Sequence, residues 1–444
     1  MLQRAGHVGA IDGNLDLLVD ESVGIIRHIE CGVVAADMPG FHHCEARLSD
    51  TRALGGFACA PTTSAAAVEP GAALTAAAAA AVAAYSAALH DRAALPVARF
   101  ADAGFPCVRP ADFALFSDGQ YAVPGFPYVP ATDDTPLCWT PAVDLATGET
   151  AHVPAGLVFH PFVYRRASGD KPIAPPGKVG LATAGSVAEA ALAGLADVVC
   201  RDAMALFWQA MTAPPRLVRE TLSPTLRDMV GRFEAGGDRL VLLDVTTDNT
   251  VPAFVALLQS ERPGCPAIVC DGGADLDPEI AVVCALSRLA AARRRLAEVP
   301  ADLAPPTPTN DWQDMVDWLD HLLIAADRGN PTRFEFALES DLRRDLAEHE
   351  PRGGVSVEAD LDTMVRLVSA TGHRVYAANI TTEDVGTFGI AVCRVLVPGY
   401  RPINATHRLR PLGGARLYET PQRLGYRGIA PGNADNPVPH PFAV

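Results

Sequence analysis

Asn436-Pro437-Val438-Pro439-His440-Pro441-Phe442-Ala443-Val444 carries proline at three alternate positions. Proline fixes φ and removes a backbone donor, so the segment predicts a stiff, extended tail with a defined reach. Such tails also serve as disordered spacers or as ligands for SH3-type grooves. Two stretches shortly upstream, Val395-Leu396-Val397-Pro398-Gly399-Tyr400-Arg401-Pro402 and Leu412-Gly413-Gly414-Ala415-Arg416-Leu417, tie it to a patterned domain instead.

The 444 residues, 49% of them hydrophobic, suffice for a large core. The longest apolar run, Ala72 to Ala84, is almost all alanine and reads as too short to span a bilayer. Met1-Leu2-Gln3-Arg4-Ala5-Gly6-His7 has no apolar core of a secretion signal, so a cytoplasmic, membrane-free protein is expected. A net charge of −16 argues against nucleic acid as a partner. The cations are arginines apart from Lys171 and Lys178. An acidic surface suits a basic peptide partner and equally serves solubility. The ten cysteines include no CxxC pair, and His42-His43-Cys44 has no second ligand pair at zinc spacing. Buried thiols are expected, with neither metal nor disulfide.

Alternation predicts strands over Leu17 to Arg27 and Cys31 to Ala36, followed by an alanine helix from Ala72 to Asp91. A proline-punctuated stretch with Phe113, Phe116, Tyr121, Phe126 and Tyr128 precedes Trp139 and the turn at Asp144 to Glu149. A loop over Gly169 to Gly180 opens into a long helix, Val187 to Trp208, with Ser186 as N-cap and Glu189 closing a capping box. Two later segments echo one another. Leu242 to Asp244, Thr246-Thr247-Asp248 and Val251 to Leu258 read as strand, polar turn, strand, as do Tyr376 to Asn379, Thr381-Thr382-Glu383 and Val385 to Val397. The echo raises an internal duplication and, equally, convergence of two hairpins. Helices are expected at Pro278–Leu296 and Trp312–Arg328, separated by a proline-rich linker at 301–310. The mixed order predicts an α/β (α+β mixed) fold rather than a barrel or bundle.

Several blocks, in order, resemble the YcaO family, specifically the azoline-forming cyclodehydratases of ribosomal-peptide biosynthesis. They are Trp139…Gly148…Val153-Pro154-Ala155, Gly180-Leu181-Ala182…Gly185-Ser186, Arg201-Asp202-Ala203…Phe207-Trp208, Asp244…Thr246…Asp248, Gly272-Gly273-Ala274…Asp277-Pro278-Glu279, Pro398-Gly399 and the proline tail. The resemblance implies a single YcaO-like domain over 1–434, with an N-terminal region at 1–165 and a core at 166–434, and a PxPxP-type tail at 435–444. It also implies that the tail folds into the active site, which puts Pro437, Pro439, Pro441 and Val444 among the catalytic candidates. Azoline-forming members use ATP and magnesium: a Cys, Ser or Thr side chain of a substrate peptide attacks the preceding amide, and the resulting oxyanion is phosphorylated and lost as phosphate. A precursor peptide and a leader-peptide-binding protein are the implied partners, with a homodimer by analogy.

Magnesium bound to triphosphate needs clustered carboxylates and an arginine for phosphate. The family carries ExxER immediately before Tyr-Ser, whereas here Ala80, Ala83 and Ala84 precede Tyr85-Ser86. In the second helix Glu189, Arg201 and Asp202 match, but Asp197 and Cys200 stand where glutamates are usual. In the third, Arg288 and Ala291 replace glutamate and glutamine, and Lys178-Val179 stands where Ser-Asn is favoured. Glu189 and Asp197 remain as magnesium candidates, with Arg201 and Lys178 beside them for the nucleotide. The core is retained while the nucleotide motifs are altered, which leaves three readings. The first is a partner subunit of a peptide cyclodehydratase system, non-catalytic or divergent and without a cofactor. The second is an active ATP- and magnesium-dependent cyclodehydratase. The third is ATP-independent chemistry drawing on His440, His42 or His43.

Overall fold

The computed structural model describes residues 10–33, 40–54, 57–164, 167, 169–299, 303, 312, 315–329, 334–338, 340–429 and 435–442. Its strands form three sheets. The first is antiparallel: β1 (Ile26–Val33), β2 (His42–Leu48) and β3 (Thr62–Ala67). Its leading strand begins later than alternation suggests. Leu15–Leu18 is a helical turn, and Asp20 Oδ1 accepts the N–H groups of Ser22 and Val23, closing a turn before Ile26. Cys31 lies opposite Cys44 in the β1–β2 register, and the two form a disulfide. The expectation of thiols alone fails there because strand pairing, not sequence spacing, brought the two sulfurs together. The other eight cysteines are free.

Helix α1 (Pro70–Ala88) starts with proline in its first turn and covers the first sheet. It is long and apolar enough, by length and composition, to cross a membrane, which corrects the reading of Ala72 to Ala84 alone. It is mostly buried inside the protein, and its alanines let it lie close to β2 and β3. The second sheet has the order β11-β10-β9-β8-β12, with β8 at Arg216–Leu217, β9 at Arg239–Asp244, β10 at Ala253–Gln259, β11 at Ile268–Ala274 and β12 at Arg343–Arg344. The third runs β4-β5-β13-β14-β7, with β6 on β5. Its strands are β4 (Val97–Ala98), β5 (Leu137–Asp144), β6 (Thr150–Pro154), β7 (Leu181–Ala184), β13 (Tyr376–Asn379) and β14 (Ala391–Leu396). It therefore joins strands from both ends of the sequence.

Helix α2 (Val187–Gln209) packs against β14 and β7 of the third sheet and β11 and β10 of the second. Being covered on both sides, it is apolar nearly all round instead of amphipathic. Ser186 caps it by accepting the Glu189 N–H at 3.2 Å, but the Glu189 carboxylate reaches back to the N–H of Gly185, one residue before the cap. Helix α3 (Pro224–Glu234) flanks the second sheet. Helix α4 (Pro278–Ala297) lies across β11, where Gly272-Gly273 permits the approach: a Cβ on Gly273 would sit 2.4 Å from the Ala281 carbonyl oxygen. The helix expected at Trp312–Arg328 is α5 (Trp318–Ala326), begun by an Asp317 capping box. Of the linker 301–310, only Leu303 falls within the described residues. Helices α6 (Val357–Ser369) and α7 (Arg416–Arg423) complete the larger helices.

The echo between the two Thr-Thr turns extends to hydrogen bonds. Asp244 Oδ1 accepts the Thr246 N–H and Asn379 Oδ1 accepts the Thr381 N–H, each at 3.1 Å. Thr246 Oγ1 then accepts from Ala253 N, and Thr381 Oγ1 from Val392 N, at the start of each returning strand. The second unit differs by a helical turn at Glu383–Thr387 within the expected strand.

Candidate nucleotide-site cavity and the tail beside it

A cavity of about 500 Å³ opens between α1, α2 and α4, with β3 and the end of β11 as further walls. The three altered helical motifs meet there: Ala80 from α1, Asp197 and Cys200 from α2, and Arg288 and Ala291 from α4 all line it. Alanines make up much of the wall, because α1 presents Ala72, Ala76, Ala79 and Ala80 and β3 presents Ala65 to Ala67.

The single carboxylate of α2 in this wall is neutralised. Arg288 Nη2 donates to Asp197 Oδ1 at 2.8 Å, Arg201 Nε lies 3.5 Å from the same oxygen, and the Gly180 N–H donates to Oδ2 at 3.0 Å. Burial works to raise the Asp197 pKa, but the two guanidiniums and the amide outweigh it and hold the carboxyl below the usual aspartate range. Arg201 Nη1 also pairs with Asp271 Oδ1 at 3.2 Å. Burial pushes the Cys200 thiol up to about 12 and the Cys284 thiol to about 11, so neither is a ready thiolate.

These residues do not fit magnesium and triphosphate. Magnesium requires near-octahedral oxygen ligation, and among the described residues no group of three or more His, Cys, Asp or Glu side chains is placed to hold a metal. Among the described residues the wall carries two carboxylates, Asp197 and Asp275, and the Arg288 guanidinium bound to Asp197 adds positive charge where a divalent cation would need negative charge. The two magnesium candidates, Glu189 and Asp197, have different surroundings. Eight residues of one helix separate them, a rise of about 12 Å, and the Glu189 carboxylate turns to the Gly185 N–H. Glu189 is buried at the mouth of α2 and does not line the cavity. Arg201 is committed to Asp197 and Asp271, and Lys178 lines a separate pocket.

The tail docks at the C-terminal end of α2, where Asn436, Val438, His440 and Phe442 line a separate small pocket with Trp208 and Gln209. Asn436 donates from its backbone N–H to the Gln209 carbonyl and from Nδ2 to the Trp208 carbonyl, while Trp208 Nε1 donates to the Val438 carbonyl at 2.9 Å. His440 stacks on His321 with ring centres 4.0 Å apart, and fully buried Phe442 joins the core with Phe207 and Trp208. The Pro441 carbonyl ends 4.0 Å from Cys270 Sγ, one residue from Asp271 and its Arg201 partner. The recognition contacts come from the residues between the prolines. Pro437 is exposed, Pro439 and Pro441 are buried, and none offers a side-chain group for chemistry, so their role is to hold the extended path. Val444 lies outside the described residues. His440 donates from Nε2 to the Asn404 carbonyl and accepts the Phe442 N–H at Nδ1, and burial with a neighbouring His321 keeps its pKa well below the histidine norm. It is a neutral structural imidazole. His42 and His43 sit on β2 and line neither cavity nor tail.

Sequence reasoning missed Arg394, Arg401, Asp271 and His321. Arg394 left a trace: a charge within the apolar run Val392-Cys393-Arg394-Val395 of β14.

The chain belongs to the YcaO family: the family model described as YcaO cyclodehydratase, ATP- and Mg2+-binding, matches residues 64–401. A protein of Methanothermobacter thermautotrophicus described as uncharacterized is 34% identical over 269 residues, covering 59% of this chain and 65% of the relative. A heterocyclase solved in complex with substrate and cofactor superposes with a TM-score of 0.76 at 22% identity, covering 99% of this chain and 57% of that one. YcaO from Methanopyrus kandleri bound with AMPPCP and Mg2+ gives 0.61 at 20% identity, over 87% and 89% of the two chains. A chain of the Escherichia coli microcin synthetase McbBCD complex with pro-MccB17 bound gives 0.52 at 12%, over 84% and 88%. The chain thus spans less than two thirds of the first relative and of the first solved structure, and these likenesses establish a shared fold.

Proposed function

We propose that this chain is a YcaO protein of ribosomal-peptide maturation that has given up magnesium–nucleotide binding. It acts as a non-catalytic or divergent partner subunit of a peptide cyclodehydratase system, working with a precursor peptide and a leader-binding protein. The observation that carries the reading is the meeting of Ala80, Asp197, Cys200, Arg288 and Ala291 in one cavity, with Asp197 tied up by Arg288. Apart from Asp197, the positions expected to hold magnesium and phosphate are apolar, soft or cationic there. The reading includes a cytoplasmic location, a single domain over 1–434 and a tail at 435–444 whose prolines shape a path. The acidic surface, with a net charge of −16, supports a peptide partner over nucleic acid.

A second reading, an active ATP-dependent cyclodehydratase forming thiazolines or oxazolines, is favoured by the docked tail. The Pro441 carbonyl approaches Cys270, the sequence neighbour of Asp271, whose partner Arg201 also reaches Asp197 of the cavity wall. Mass spectrometry of a cysteine-bearing precursor peptide separates the two. The chain alone with magnesium and ATP should remove no water from the peptide, and adding it to a complete system should raise ring formation without adding ATP turnover of its own. Loss of one water per ring by the isolated chain would establish the second reading.

A further inference from the structure

A smaller cavity of about 100 Å³ lies between the loop around Pro175 to Val179 and the segment Arg394 to Asn404. Three cations line it: Lys178, Arg394 and Arg401. Arg394 is only 4% exposed, and among the described residues its Nε and Nη1 have no hydrogen-bond partner; Arg401 is 2% exposed, with Nε and Nη2 likewise unpartnered. Arg401 Nη1 is satisfied by the Gly413 carbonyl at 2.6 Å. Burial lowers both guanidiniums to about 10.

Among the described residues no carboxylate lines this cavity. The two nearest in charge are already engaged. Asp197, which acts on Arg394, is held by Arg288, Arg201 and the Gly180 N–H. Asp202, which acts on Arg401, is gripped by Arg416 through Nε and Nη2. Buried guanidinium donors without acceptors are costly, and an anion would remove that cost. Guanidinium forks match the oxygens of phosphate in pairs, and a lysine at the rim adds a point charge. The apolar walls, Phe113, Leu115, Val198 and Ile403 among them, lower the local dielectric and strengthen that attraction.

We propose that Arg394, Arg401 and Lys178 form a metal-free site for one phosphate-sized oxyanion: inorganic phosphate or the terminal phosphoryl of a small ligand. A cavity of about 100 Å³ is of the size of one tetrahedral anion. The site is distinct from the alanine-lined cavity and stands whether or not the functional reading above holds.

The test is calorimetric titration of the full chain with inorganic phosphate in excess EDTA, repeated with acetate as the carboxylate arm. One phosphate should bind per chain, and Lys178→Gln should weaken it at least about fivefold at unchanged melting temperature, since Lys178 is exposed. Arg394→Gln should abolish it. Should that variant unfold, Lys178→Gln alone decides. Absent phosphate binding, binding indifferent to Lys178→Gln, or acetate binding as tightly as phosphate would overturn the assignment.

Discussion

Arg288 of α4 faces Asp197 of α2 across the cavity, Nη2 to Oδ1 at 2.8 Å, and puts a guanidinium beside the acidic position of the second helical motif. Either change alone would be unremarkable. Together they form an internal ion pair in a wall completed by alanines, by Asp275 and by hydroxyl and aliphatic side chains.

That pair should be structural. Arg288→Ala leaves Asp197 with Arg201 and the Gly180 amide only, in a poorly solvated wall. Urea unfolding should show a loss of about 1–3 kcal/mol. An unchanged midpoint would mean that the pair contributes nothing to the fold.

The tail should behave as core. Phe442 is fully buried among Phe207, Trp208 and the second sheet, so Phe442→Ala should cost about 3–5 kcal/mol. Pro437→Ala, at an exposed position, should cost less than about 1 kcal/mol. Thermal denaturation of both variants checks the contrast. Equal effects would contradict recognition by the residues between the prolines.

Much of the fold is legible in the sequence. The α2 and α4 helices, the β5–β6 hairpin, the β9–β10 pair and the cap at Ser186 follow from periodicity, turn residues and capping chemistry. The substitutions at Ala80, Asp197, Cys200, Arg288 and Ala291 were visible as departures from motif. Their convergence in one cavity was not, because three helices distant in sequence build it. The Cys31–Cys44 bridge depended on strand register, and the burial of Arg394 and Arg401 on packing between sheets. Glu189 reads both as a capping carboxylate and as a metal ligand, because the two look alike in one dimension; the structure shows its bond to the Gly185 N–H.

Gly273 is a packing glycine. A methyl there would meet the Ala281 carbonyl oxygen at 2.4 Å and the Ala285 nitrogen at 2.5 Å, both backbone atoms of α4. Gly273→Ala should push α4 off β11 and cost about 1–3 kcal/mol or more by chemical denaturation. A neutral result would show that the helix has room to shift.

Acid should destabilise the protein well above the carboxylate range. Burial is the main force lowering His407 to about 3 and His160 to about 4, against an unperturbed 6.5. Lowered histidines bind protons more readily in the unfolded chain, so stability present at neutral pH is lost as pH falls through about 6.5 toward the folded values. At pH 5 each costs up to about 2 kcal/mol. The melting temperature should drop between pH 7.5 and pH 5, and His407→Gln should flatten that drop. A flat profile in the unsubstituted protein would refute the buried, neutral assignment.

The most direct test is calorimetric titration of the chain with ATP in excess magnesium, alone and with a candidate leader-binding protein. The account predicts no magnesium-dependent binding in either setting from a protein that melts cooperatively. Micromolar, magnesium-dependent binding that disappears in Asp197→Asn would contradict it and restore an ATP-dependent cyclodehydratase.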